Sequence, residues 1–372
     1  MKVLVAMDEY NGIISSYDAN RYVEEAVASQ LESADIVQVP LFNGRRELLN
    51  AVFLWKSGTQ YRISVHNAEM QAVDVTYGQT DDGLTVIEAS QFLTGQASHV
   101  NLTSYGLGEV IRHALDKAAQ HIVISVGGIG SYDGGAGMLE ALGARFYDDE
   151  GQRVDMTKGA RQIKHVRRID TSDLDQRLQQ CRIQVLVDFE SKLYGKQSAI
   201  MKTYTEQQIE RTQAVEIDNL LWYLSELFKN EHQLLLGPIE RGGAGGGIAA
   251  TMAALFNAEI NTSHELVDQI TGLDQLVGQA DLIIFGEGID EQDEIIDTSS
   301  LRIAELCQKH DKVSVALCGT ADKFERFEAL GVTGMFNSFI EMPKQLTDFK
   351  MGIQLRHNTI QAIKLLRTHL PQ

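Results

Sequence analysis

Short runs of aliphatic and β-branched residues recur along the chain, and most are followed by a stretch whose apolar positions keep helical spacing. Thus "VLVAM" precedes "YDANRYVEEAVASQL", "HIVISV" precedes "GAGMLEALGARF", "DLIIFG" precedes "LRIAELCQKH", and "KVSVALCG" precedes "KFERFEALG", while "RIQVLVDF" is a further apolar run. Strand and helix alternating in this way predict an α/β fold, a mostly parallel sheet with helices on both faces. Residues 61–90 break the pattern: polar and apolar positions alternate around a "DDG" turn and predict antiparallel strands. In "NLLWYLSELFKNEH" the apolar residues, Trp222 and Phe228 among them, return at helical spacing and predict a helix packed on the core. The change of texture divides the chain. Residues 1–60 and 270–372 are expected to form one α/β domain, and residues 61–269 a second, mixed α/β domain inserted into it.

Composition narrows the class. The 372 residues are 44% hydrophobic and 23% charged with four prolines, as in ordinary globular proteins. A formal charge of -18 argues against nucleic acid or an anionic membrane as partner, because both bind through neutralised phosphates. "MKVLVAMDEY" lacks the apolar core and cleavage site of a signal peptide, and no window approaches a membrane span. Cys181, Cys307 and Cys318 each adjoin an apolar run, which fits buried free thiols in a reducing, cytoplasmic setting.

Candidate chemistry gathers in loops that follow the expected strands, where open α/β sheets bind their ligands. Gly127, Gly128 and Gly130 follow "IVIS", and Ser131, Asp133, Gly134, Gly135 and Gly137 lead into a helix. Glycines let backbone N–H groups approach an anion, and a helix start adds its dipole; close strand-to-helix packing would use glycines equally well. A second loop, "ERGGAGGGIAATMAALF", offers Gly243, Gly245 and Gly246 beside Arg241, a cation for an anionic ligand; here too the alternative is a small-residue helix packed tightly. A third, "IIFGEGIDEQDE", ends a strand in Gly286, Glu287 and Gly288; Glu287 could hold Mg²⁺ through water or orient a hydroxyl, and the run Asp290, Glu291, Asp293, Glu294 reads as a solvated loop. Asp188 ends "QVLVD" and Asp8 follows "VLVAM"; each either caps a turn or takes a proton from a substrate hydroxyl. No histidine pair has metal-ligand spacing, and no Ser/His/Asp or Cys/His set can be assembled.

These loops, in this order, resemble the bacterial type I glycerate kinases. The stretch from "TSYGLGEVIRHALDKAAQ" to "GGIGSYDGGAGMLEALG" is similar to the family's SSYGxGELI and GGSATNDGGAGMLQALG block. "RGGAGGGIAA", "ADLIIFGEGIDEQ" and "MKVLVAMDEYNG" match further family segments, and Asp188 matches the acid of CDVxNPL. The resemblance implies a Rossmann-like domain plus a second α/β domain, ATP and Mg²⁺ as cofactors, and transfer of the γ-phosphate to a hydroxyl of glycerate or a related small hydroxy acid. It implies Asp188 and Asp8 as catalytic carboxylates, Asp133 and Glu287 as Mg²⁺ ligands, and the glycine loops as phosphate and substrate contacts.

The chain departs from the family pattern mainly by losing cations. Asn11 replaces a lysine, Tyr132 an asparagine, and "FNGRREL" the DGGEGT motif. Ile289 and Asp290 follow Gly288 where an arginine is expected, Ile296 and Asp297 replace Gly-Lys, and Glu190–Lys192 replaces NPL. Two readings stay open from the residues: a kinase in which Arg45, Arg46, Lys192 or Lys196 supplies the missing charge, or a relative that binds a nucleotide or small acid in a regulatory role. A dinucleotide oxidoreductase would need a spaced G-x-G-x-x-G after the first strand, which is absent.

Overall fold

A computed structural model describes residues 1–205, 208–288, 299–319, 324–339 and 347–367. In chain order the strands are β1 (Lys2–Met7), β2 (Asp35–Gln38), β3 (Gly58–His66), β4 (Ala72–Thr80), β5 (Leu84–Glu88), β6 (His121–Ser125) and β7 (Arg145–Tyr147), then β8 (Arg153–Val154), β9 (Arg168–Asp170), β10 (Arg182–Val187), β11 (Glu259–Thr262), β12 (Leu282–Glu287), β13 (Val313–Cys318) and β14 (Gly334–Asn337). They divide between two compact units. One comprises Met1–Asn43, Asn50–Trp55 and Ser263–Gln372, the other Gly44–Leu49 and Lys56–Thr262.

The first unit is built on a sheet of order β14-β13-β12-β1-β2, parallel throughout. Its central strands are apolar on both faces because helices cover both: Val3 to Met7 and Leu282 to Phe285 are buried without a break. Helices Ser16–Gln30 and Asp348–Leu366 pack together on one face, where Ala19, Val23, Met351 and Leu355 join Val3, Val5 and Ile284 in one cluster. Ser15 starts the first of these helices, its hydroxyl accepting the Asp18 N–H at 3.0 Å.

The second unit carries a mixed sheet of order β11-β10-β6-β5-β4-β3. The antiparallel reading of residues 61–90 holds for β3 with β4 and for β4 with β5, joined around Gly83. β5 has a second neighbour, however, and runs parallel to β6 from Leu84 opposite His121 to Glu88 opposite Ser125. Its carboxyl end therefore lies beside those of β6 and β10.

Two expectations are corrected. The helix foreseen through Phe146 stops at Ala141, and β7 opens a small antiparallel sheet of order β8-β7-β9. Gly143 enforces the stop: its φ is +113°, and a Cβ there would lie 2.1 Å from the Asp173 carbonyl oxygen. Trp222 does not pack on the core and is 49% exposed. On helix Arg211–His232 the buried stripe runs through Ala214, Ile217, Leu221, Leu224 and Phe228, and position 222 falls outside it. Among the described residues no helix is long and apolar enough to cross a membrane.

Candidate functional site

In the second unit three parallel strands end side by side in polar groups: Glu88 closes β5, Ser125 closes β6, and Asp188 directly follows β10. The segment Gly44–Leu49 is fastened across these ends. The Gly44 carbonyl accepts from the Ser125 hydroxyl and from the Gly127 N–H at 3.0 Å. The Arg45 carbonyl accepts from Ser90 Oγ at 2.6 Å, and Glu88 Oε1 accepts the Leu49 N–H at 3.3 Å. So fastened, the segment carries the Arg45 guanidinium onto Asp188, Nε donating to Oδ2 at 2.8 Å. The Asp188 side chain is 5% exposed, and its Oδ1 has no hydrogen-bond partner among the described residues. Gly127 touches both partners: a Cβ there would lie 2.8 Å from Asp188 Cγ and 2.8 Å from Arg45 Cγ. Gly128, exposed beside it, flanks the Arg45 stem.

Asp133 has a different setting in the same loop. It is fully buried, with Oδ2 accepting from Ser104 N (2.8 Å), Ser104 Oγ (2.9 Å), Gly137 N (3.1 Å) and Thr103 Oγ1 (3.3 Å), and Oδ1 accepting from Gly135 N (3.0 Å). Burial pushes its carboxyl above the ordinary range, and these hydrogen bonds pull the other way. Ser131 is buried two positions earlier, and its hydroxyl has no partner among the described residues. Tyr132 is also turned inward, its hydroxyl 3.1 Å from Thr203 Oγ1 and its ring edge-on to His99.

The two glycine loops of this unit pack on each other. Gly134 N donates to the Gly246 carbonyl at 2.9 Å, and a Cβ on Gly246 would lie 2.0 Å from the Ser131 carbonyl oxygen. Gly245 lies against Val126, Gly135 against Met138 and Thr251, and Gly243 N donates to the Ser191 carbonyl at 3.1 Å. Arg241 pairs with Glu190 at 3.3 Å in an exposed contact. Of the other cations considered, Arg46 and Lys196 are exposed, and the Lys192 N–H donates to the Gln197 carbonyl.

The remaining candidates sit at the strand ends of the first unit. Asp8 is buried, its N–H donating to the Gly286 carbonyl at 2.8 Å and its Oδ1 accepting from Glu9 N at 2.7 Å. Glu287 is buried at the end of β12, and its carbonyl accepts from Gly319 N at 3.0 Å. Between them lies Tyr10, whose hydroxyl donates to the Leu317 carbonyl at 2.6 Å. Burial pushes that hydroxyl well above its ordinary value, and the nearby charges of Cys318, Glu287 and Asp8 add to the rise. Gly286 and Gly288 are shaped by this packing, since side chains there would meet Leu317 O and Asn11 Oδ1 at 2.1 and 2.3 Å. Ile289, Asp290, Glu291, Asp293, Glu294, Ile296 and Asp297 lie outside the described residues.

Sequence reading missed Glu88, Ser90 and Ser191. "LTVIE" ends in an acid just as "QVLVD" does, and that likeness was the available signal for Glu88. Ser191 carries a buried hydroxyl with no partner among the described residues.

Comparison with known proteins agrees with the fold. The model of the glycerate kinase family matches residues 3–364. Glycerate kinase of Halalkalibacterium halodurans is 26% identical over 92% of this chain and 91% of its own length, and glycerate 2-kinase of Escherichia coli 27% identical over 86% and 85%. The crystal structure of a Salmonella typhimurium LT2 protein provisionally assigned as glycerate kinase 2 superposes with a TM-score of 0.86 at 26% identity, covering 99% of both chains. The chain belongs to the glycerate kinase family and is a glycerate kinase-like phosphotransferase.

Proposed function

We propose that the protein transfers the γ-phosphoryl group of ATP to a hydroxyl of glycerate or a related small hydroxy acid, with Asp188 as the group that receives the hydroxyl proton. The observation that carries this reading is the state of the Asp188 carboxylate: one oxygen is held by Arg45, and the other has no hydrogen-bond partner among the described residues at the carboxyl end of a parallel strand. The substrate oxygen forms a bond to Pγ as the bond between Pγ and the bridging oxygen of ATP breaks; the proton passes to Asp188 Oδ1, and ADP leaves. Phosphoryl transfer asks mainly for positioning and charge neutralisation, and the protein's contribution is a fixed acceptor beside a fixed cation.

The anion contacts are assigned by what the loops leave open. The partnerless Ser131 hydroxyl supports a phosphate contact in the first glycine loop. Among the described residues Arg241 is held by an exposed pair with Glu190, which an incoming carboxylate or phosphate displaces at small cost. Mg²⁺ would neutralise phosphate charge when bound. Asp133 does not fit it, because the buried carboxylate is already surrounded by protein donors; its place is that of loop organiser. Glu287, a buried acid at the end of β12, is the candidate carboxylate for it. The free thiols of Cys181, Cys307 and Cys318 support a reducing, cytoplasmic setting.

An ATP-coupled assay over a panel of small hydroxy acids tests the reading. Turnover is expected with glycerate or a close relative and is expected to fall by about 10³-fold in Asp188→Asn; a wild-type protein inactive on every acid would refute it.

A further inference from the structure

We propose that Arg45 is the positioning residue for Asp188, and that the segment Gly44–Leu49 exists in its present form to deliver this cation to the strand end. The inference rests on the reading of Asp188 as proton acceptor and adds the group that fixes its orientation.

Arg45 lies 143 positions from Asp188 in the chain, and everything that joins them is local to the ends of β5, β6 and β10. Before Arg45, the Gly44 carbonyl is held by Ser125 and Gly127. At Arg45 itself, the carbonyl is held by Ser90. After it, the start of the helix Leu48–Trp55 is held through Leu49 by the Glu88 carboxylate, which Gln91 steadies at 3.2 Å. Burial pushes the Glu88 carboxyl upward, and its hydrogen bonds to this helix start oppose the rise. Gly44 fits here because it has a φ of +78° and would place a Cβ 2.8 Å from the Val187 carbonyl oxygen. The arginine stem then runs along Gly127 and Gly128, whose missing side chains leave it room. Strand ends thus grip the backbone on either side of Arg45, and glycines shape the channel for its side chain.

The chemical consequence concerns Asp188. A carboxylate with both oxygens loose can rotate about its last bond, and only part of its population faces a substrate hydroxyl. Nε of Arg45 pins Oδ2 and leaves Oδ1 as the oxygen presented to a ligand. Lysine cannot reproduce this, because its chain places a methylene where arginine has Nε.

Steady-state kinetics of Arg45→Lys, Arg45→Gln and Arg45→Ala, each checked by thermal melting, test the assignment. In Arg45→Gln, kcat is expected to fall by roughly 100-fold, the range for loss of one preorganised charged donor, while KM for ATP stays within about threefold. Arg45→Lys is expected to recover only a minor part of that loss. Millimolar guanidinium is expected to raise the rate of Arg45→Ala by about tenfold, since a free guanidinium can refill the channel, a response that a merely structural arginine would not give. Variants as active as the wild type, or a loss that guanidinium leaves untouched, overturn the assignment while leaving the proposed function in place. If Arg45→Ala does not fold, the decision falls to Arg45→Lys against Arg45→Gln: equal rates overturn it and a partial advantage for lysine supports it. A wild type without turnover on any acid overturns the proposed function and this inference together.

Discussion

Asp133 and Asp188 both lie beyond an apolar parallel strand of the second unit, Asp133 at the far side of a glycine-rich loop and Asp188 directly at the strand end. Asp133 is sealed in: donors from Thr103, Ser104, Gly135 and Gly137 converge on it, so the carboxylate ties the loop to the start of helix Tyr105–Asp116. Among the described residues Asp188 has one charged partner, and its second oxygen has no hydrogen-bond partner. The contrast separates two uses of a buried acid. A carboxylate whose lone pairs are all engaged by protein donors stabilises architecture, and one left partly unengaged beside a fixed cation can accept a proton.

The largest effect that divides the two acids is kinetic. Asp188→Asn is expected to lower kcat by about 10³-fold, equivalent to about 4 kcal/mol of transition-state stabilisation, with a melting temperature close to wild type. A severe drop in stability with unchanged specific activity in the folded fraction would reverse the roles assigned to the two residues.

Asp133→Asn is next, and its effect is on stability. The amide oxygen can take the crowded Oδ2 position, but the amide nitrogen then faces the Gly135 N–H as a second donor, and the charge that strengthens the other hydrogen bonds is gone. A loss of about 2–3 kcal/mol in denaturant unfolding is expected, the cost of unsatisfied buried donors plus weakened charged contacts. Wild-type stability in this variant would show that the hydrogen bonds around Asp133 contribute little and that its charge has another use.

How far sequence could see this contrast depends on the range of the interaction. The strand and helix alternation is local, and "VLVAM", "DLIIFG" and "RIQVLV" became strands with parallel neighbours on both sides because largely apolar runs fit strands covered on both faces. Asp188 was visible for the same reason, as an acid ending such a run. Glu88 has the identical pattern but was hidden by an antiparallel reading of residues 61–90; β5 has an antiparallel neighbour on one side and a parallel one on the other, and only the second places Glu88 at a ligand-facing end. The Arg45–Asp188 pair was out of reach, because nothing in the spacing of two residues 143 positions apart reports a hydrogen bond. The glycines of the two loops invited a phosphate reading from composition, yet the closest approaches at Gly134 and Gly246 are between one loop and the other. Their first cause is loop packing, and any phosphate contact uses what that packing leaves over.

Arg241→Gln probes a cation outside this packed region. Its pair with Glu190 is exposed, so its removal is expected to change stability by less than about 1 kcal/mol. If Arg241 meets the carboxylate of the acid or a phosphate, KM for that ligand should rise about tenfold, near 1.4 kcal/mol, with kcat little changed. A fall in kcat at constant KM would move Arg241 from binding to the reacting group, and no change in either constant would remove it from the site.

The smallest expected effect falls on Tyr132, adjacent to Asp133 and at a position where the family pattern has asparagine. Its side chain is buried, in contact with Thr203 and His99. Tyr132→Phe keeps the buried ring and removes the hydroxyl's contact with Thr203, which costs about 1 kcal/mol of stability. Because the ring is buried and its hydroxyl contacts Thr203, kcat and both KM values are expected to match wild type. A tenfold change in either constant without loss of stability would place Tyr132 on the ligand side of the loop. The departure from the family asparagine would then be a change of chemistry; with unaltered kinetics it is a change of packing that the site tolerates.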